Sequence, residues 1–203
     1  MSGNMSLIRR LNDTPPSTES HMRMSWPALL LVTSALAITP CEAQMYPFSQ
    51  RGSITQSVAF TTITIEYGRP TARGRTLFGA LVPWDSVWHP GADMATEMVI
   101  SRDVQIEGRD VKAGTYTTWL IPRATGAWTF ILSRATGISH TPYPGPGRDA
   151  VRIDVKADSS AHLETLTYHF PVVLREDATL RLQWGVSGIS LRLKAPYRPS
   201  EDM

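Results

Sequence analysis

The chain has 203 residues, 19% of them charged and 42% apolar, with a formal net charge of +2. That length suits one domain, and that charge balance excludes a protein built to hold nucleic acid by electrostatics. Its one cysteine, Cys41, excludes an intrachain disulfide and a multi-thiolate metal site.

Residues 1–21 read as polar and without regular structure. Met22-Arg23-Met24-Ser25 then gives a short basic start, Trp26 to Ile38 an apolar run, and Thr39-Pro40-Cys41-Glu42-Ala43-Gln44 a cleavage region. This order predicts a signal peptide over residues 1–43, with its apolar segment at about 24–40 and the cut after Ala43. The run is shorter than the roughly 20 apolar residues a membrane span needs. Two readings compete with it: a lipoprotein signal with Cys41 as the acylated residue, against which Pro40 argues, and an uncleaved anchor. Met1, Met22 and Met24 are all candidate starts of translation. Without residues 1–43, which hold three basic and three acidic residues, 17 Lys+Arg face 15 Asp+Glu, and 14 of those 17 are Arg. Arginine holds carboxylates and stacks on aromatics better than lysine, so some of these residues suit buried pairs or a site.

Residues 44–203 read as one all-β domain. Ser53 to Phe60 is a weak strand signal, with Val58 and Phe60 in phase. Thr62 to Tyr67 alternates strictly, Ile63, Ile65 and Tyr67 on one face, which predicts a half-buried strand. Gly68 to Gly91 carries Pro70, Gly74, Gly79, Pro83 and Pro90, so it holds no long element, with at most a helical turn at Leu77 to Leu81. Strand signals return at Thr96 to Ser101, Val104 to Glu107, Thr115 to Ile121 and Trp128 to Ser133, with Gly108-Arg109-Asp110 as a turn. Arg134 to Asp149 is a second irregular stretch. Val151 to Val155, His162 to Phe170, Leu180 to Trp184 and Ile189 to Leu193 alternate again, with Gly185 to Gly188 as a turn. About nine or ten short strands without an amphipathic helix predict an antiparallel β-sandwich or a jelly-roll-like fold.

One region carries a family resemblance. Glu66-Tyr67-Gly68-Arg69-Pro70, Arg73-Gly74-Arg75, Phe78-Gly79, Leu81-Val82-Pro83-Trp84, Val87-Trp88, Gly91-Ala92 and Ala95-Thr96 resemble the family catalogued as domain of unknown function 2911. So do Ala113-Gly114-Thr115-Tyr116, Ile121-Pro122 and Trp128-Thr129, and the likeness covers about residues 50–194. The resemblance implies an exported or periplasmic bacterial β protein and brings no activity, cofactor or catalytic residue. His89 stands where the family pattern leads one to expect Arg, which implies changed chemistry or a packing role at that position.

The residues that could carry chemistry gather on 66–96: Glu66, Tyr67, Arg69, Arg73, Arg75, Trp84, Trp88, His89, Asp93 and Thr96. Guanidinium groups read oxygens while indoles stack on apolar faces, so this mixture suits a sugar or a small anionic ligand. The structural alternative is a loop that seals one end of the sandwich, with Trp84 and Trp88 plugging the core and Glu66 ion-paired to Arg69 or Arg75. His89 and His140 are the histidines of the irregular stretches, and with Asp93 or Glu97 they suit an acid–base pair or part of a metal site. No metal-ligand spacing and no G-x-S-x-G elbow is present, and Ser133, Ser139 and Ser187 lack a catalytic context. Tyr116 and Trp128 read as core, Trp119 as exposed.

The expected function is that of an exported, non-enzymatic domain binding a small molecule or glycan through 66–96, with no cofactor, no metal and no nucleic acid. The alternatives are a structural or protein-interaction part of the cell envelope, and a hydrolase using Glu66, His89 or Asp93.

Overall fold

A computed structural model describes residues 48–197. The expected leader, its cleavage site and Cys41 lie outside the described residues. Two-residue alternation of burial sets the first hairpin. In β1 (Arg51–Val58) and β2 (Thr61–Gly68) every second side chain is more deeply buried than its neighbours, and the two strands pair antiparallel across a two-residue turn with Ala59 at φ 49°. The other strands are β3 (Glu97–Ile100), β4 (Val104–Ile106), β5 (Arg109–Val111), β6 (Gly114–Ile121), β7 (Ala127–Ser133), β8 (Asp149–Val173) and β9 (Asp177–Lys194). All pairings are antiparallel, and the strands form one nine-stranded sheet in the order β1-β2-β3-β6-β7-β8-β9-β4-β5. The only helical piece among the described residues is a single 3-10 turn at Pro146–Arg148.

The expected all-β architecture forms, and the long strand β8 changes partner along its length. Its first part, to Lys156, pairs with β7; from Ala157 onward it pairs with β9. Residues from the two parts meet across the core. The Tyr67 ring of β2 lies 4.8 Å from the Tyr168 ring of β8, the Tyr168 N–H donates to the Tyr67 hydroxyl at 3.2 Å, and the Tyr168 hydroxyl lies 3.3 Å from Thr118 Oγ1 of β6. Ile63, Ile65, Met98, Leu120, Phe130, Leu166, Leu180 and Leu191 fill the space between.

Four local expectations change. Leu77 to Leu81 forms turns, with the Val82 N–H on the Leu77 carbonyl, and not a helical turn. The turn expected at 108–110 is shorter: Glu107 and Gly108, both at positive φ, make the two-residue connection that hairpins favour, so Arg109 already begins β5. Gly185 to Gly188 lies inside β9 instead of breaking it. Trp119 is buried, 1% exposed, because the outer face of β6 is covered by the second irregular stretch, whose Tyr143 ring lies 5.3 Å away.

Candidate functional site

The 68–96 segment is irregular but tied down at each end. The Ala72 N–H donates to the Glu164 carbonyl at 2.8 Å and the Leu166 N–H to the Pro70 carbonyl at 2.9 Å, which adds Pro70–Ala72 to β8. Trp88 and Leu120 exchange two backbone hydrogen bonds, at 2.7 and 2.8 Å. Between these anchors Gly79, at φ 86°, lets the chain turn against Trp84: a Cβ there would meet the indole Nε1. Phe78 is thereby brought among Trp84, Trp88 and Trp128, with ring centroids 6.1, 5.6 and 4.8 Å away. Trp88 in turn stacks on Trp184 of β9 at 6.0 Å and 12°. The expectation that indoles plug the end of the core holds for this cluster.

The second irregular stretch is stitched to the first. The Ala95 N–H donates to the Ile138 carbonyl, and the His140 N–H to the Asp93 carbonyl at 3.1 Å. The Gly137 N–H donates to the Glu97 carboxylate at 2.8 Å. The Asp93 carbonyl also lies 2.6 Å from His140 Nδ1 and can only accept, so Nδ1 carries the proton and Nε2 of the neutral ring keeps its lone pair.

These connections surround a cavity of about 320 Å³ whose lining includes Arg73, Arg75, Trp88, Asp93, His140 and Trp184. Arg75 donates from Nε to the Ala72 carbonyl at 2.9 Å and from Nη2 to the Thr71 carbonyl at 2.7 Å, so three of its five N–H groups have no partner among the described residues. Arg73 donates from Nε to Thr71 Oγ1 at 3.0 Å, its backbone N–H meets the Glu164 carboxylate, and its guanidinium lies 3.7 Å over the Phe48 ring. No carboxylate forms an ion pair with either guanidinium among the described residues.

Of the ten residues singled out in the sequence, Arg73, Arg75, Trp88 and Asp93 converge on this cavity, and the other six do not line it. Glu66 stands exposed on β2 and its carboxylate is 3.9 Å from Arg51, so the expected pair with Arg69 or Arg75 is not made. Tyr67 is core. Arg69 folds its side chain over Gly52. Trp84 belongs to the aromatic cluster and lines a second cavity.

His89 and Thr96 are a buried structural pair. The Thr96 N–H donates to His89 Nε2 at 2.5 Å, and Thr96 Oγ1 donates to the Pro90 carbonyl at 3.0 Å. Because Nε2 accepts a backbone N–H, the neutral ring carries its hydrogen on Nδ1, which is buried without a partner. Burial first, then the neighbouring His140 and Arg51, push the His89 pKa down to about 3. A ring so held is neither a free base nor a ligand with an available lone pair.

Sequence reasoning missed Trp184, which reads there as one more alternating core residue, and Phe48, which precedes the first strand signal. Trp184 is followed at once by Gly185 at φ 61°, and a large aromatic beside a glycine inside a strand is the signal that points to a bulge and a nearby cavity.

Residues 49–193 match the family described as "Protein of unknown function (DUF2911)". No curated protein and no solved structure matches the chain significantly.

Proposed function

The chain belongs to the DUF2911 family, which has no assigned activity, and from the geometry of its own residues we propose that it is a non-enzymatic binding domain for a small anionic organic molecule. One observation carries this reading: two guanidinium groups without ion-pair partners among the described residues share a cavity of about 320 Å³ with Trp88 and Trp184. The size lies in the range of small-ligand pockets, roughly 300–1,000 Å³. Guanidinium forks recognise carboxylate oxygens, and the indoles offer an apolar wall. The unpaired charge favours an anion over a neutral glycan, whose hydroxyls need no fixed cation.

A hydrolase built on Glu66, His89 and Asp93 has less support, since His89 is buried and held neutral while Glu66 faces outward against Arg51. A purely structural role leaves the unpaired arginines unexplained.

Export belongs to the same reading. It rests on the leader pattern of residues 22–43, and no helix among the described residues is long and apolar enough to cross a membrane. N-terminal sequencing of the exported chain should begin at Gln44; a chain acylated at Cys41 contradicts that cut.

The binding test is a titration of the purified protein with small carboxylates, phosphates and neutral oligosaccharides, followed by tryptophan fluorescence and thermal shift. Carboxylates should bind, and Arg73→Gln and Arg75→Gln should each weaken them at least about tenfold, the loss of a charge-assisted hydrogen bond of 1.5–3 kcal/mol. Tight binding of neutral sugars alone, or anion binding indifferent to both substitutions, overturns the reading.

A further inference from the structure

The anion cavity has a neighbour. A second cavity of about 280 Å³ is lined by Leu77, Phe78, Trp84 and Val186, and it shares Arg75 and Trp184 with the first. Sharing those two residues, the two cavities lie side by side as a first and a second lobe. Their chemistry differs. The first lobe holds the fixed charges: Arg73, Arg75 and Asp93 line it, and the Glu164 carboxylate sits on the Arg73 backbone N–H. In the second the only other titratable side chain is His162, which is turned to Glu164 at 3.0 Å, and the remaining lining is mostly apolar. Val186 there is 50% exposed and Leu81 of the first lobe 45%, so each lobe presents an apolar side chain to whatever fills it.

We infer that the ligand is an amphipathic monocarboxylate whose carboxylate lies on Arg73 and Arg75 and whose unbranched apolar tail passes Trp184 into the second lobe. This rests on the anion-binding reading above and adds the tail. With Asp93 in the lining and Glu164 beside Arg73, a monoanion suits the first lobe better than a dianion. A phosphate, with about −1.5 to −2 charges at neutral pH, meets the Asp93 carboxylate less favourably. A tail is called for because most of the second lobe is apolar, Leu77, Phe78, Trp84, Trp184 and Val186 outnumbering the polar Thr76, His162 and Ser187. Gly185 helps form this lobe: a Cβ there would sit 2.8 Å from Leu77 Cδ1, so glycine leaves room for Leu77 in the lining.

The test is calorimetric titration of the purified protein with straight-chain carboxylates of four, six, eight and ten carbons, each below its micelle concentration, and with octanol. Affinity should rise by up to about fourfold for each methylene buried, because one buried CH₂ contributes about 0.8 kcal/mol, and octanoate should bind at least tenfold more tightly than octanol. Val186→Trp and, separately, Thr76→Trp, both at exposed positions of the second lobe, should shrink the decanoate-to-butanoate affinity ratio at least tenfold, with circular dichroism confirming the fold of each variant. Binding of butanoate with no gain on lengthening, an unchanged ratio in both folded variants, or octanol equal to octanoate overturns the two-lobed ligand while leaving the anion site standing. Absence of binding by every carboxylate overturns both.

Discussion

The imidazole of His89 is buried, its Nε2 accepting from the Thr96 backbone N–H and lying 3.0 Å from Thr96 Oγ1, so a proton added at Nε2 displaces the backbone hydrogen bond and puts a charge in a desolvated site. This makes the residue a source of pH-dependent stability with a definite sign. The folded-state pKa is depressed to about 3 from an ordinary 6.5. Between those two values the unfolded chain takes up a proton that the native chain refuses, so stability is full above 6.5 and falls as the pH drops towards 3. One such group contributes a slope of up to about 1.4 kcal/mol per pH unit. His89→Gln keeps an acceptor for the Thr96 N–H and removes the titration. Urea midpoints measured at pH 4, 5, 6 and 7 should therefore converge between native and variant chains as the pH falls, and parallel curves rule the mechanism out. At this scale the sequence could be read only as far as residue type. A histidine in an irregular stretch suggests acid–base chemistry, and only the backbone N–H that reaches its Nε2 turns it into a buried acceptor. Trp119 is a similar case: its phase puts it opposite Tyr116, as expected, but the outer face of β6 is covered and so both residues are buried.

The loop from His89 to Thr96 rests on the end of β2, and Gly68 is what allows it. A Cβ there would stand 2.3 Å from the Ala92 carbonyl oxygen and 2.9 Å from its carbon, both backbone atoms that cannot step aside alone. Gly68→Ala should lift residues 89–93 and with them the Asp93 carbonyl that holds His140. The expected cost is about 1–3 kcal/mol, as for other overpacked sites, with weaker anion binding. Gly108→Ala is the control. It lies in the β4–β5 turn at φ 74° with no atom within 4 Å of its Cβ position, so it should cost about 1–2 kcal/mol through backbone strain alone and leave binding untouched. Equal binding by the Gly68 variant and the native chain would falsify the link between β2 and the cavity. The strands themselves were legible wherever polar and apolar residues alternate, as in Thr62 to Tyr67. The lengths of β8 and β9 were not. Asp158-Ser159-Ser160 and Gly185 to Gly188 interrupt the alternation as a turn does, yet here the pairing register shifts at Ser159/Leu163 and the chain stays extended. A bulge absorbs the irregular residues, and its signature in sequence is the same as that of a loop.

One hydroxyl ties β8 and β6 to the site. Tyr168 lies in the part of β8 that pairs with β9, and its hydroxyl donates to the Pro90 carbonyl at 3.0 Å while lying 3.3 Å from Thr118 of β6. Burial raises the pKa of this phenol, so it is an uncharged donor at neutral pH. Tyr168→Phe keeps the ring packed against Tyr67 and removes only the oxygen. Pro90 retains the Thr96 hydroxyl as a donor, so the carbonyl is not orphaned and the loss should be that of a net hydrogen bond, about 0.5–1.5 kcal/mol. A single domain of this size is expected to unfold in one step, so the midpoint of chemical denaturation should move while its slope stays constant, and fluorescence and far-ultraviolet dichroism should report the same transition. The same substitution loosens Pro90, which lies between the anchor at Trp88 and the cavity residue Asp93, so carboxylate affinity should fall although Tyr168 touches no ligand. A stability loss with unchanged affinity would show that this contact between β8 and Pro90 holds the fold without governing the cavity, and that Trp88 and His140 position the loop without it.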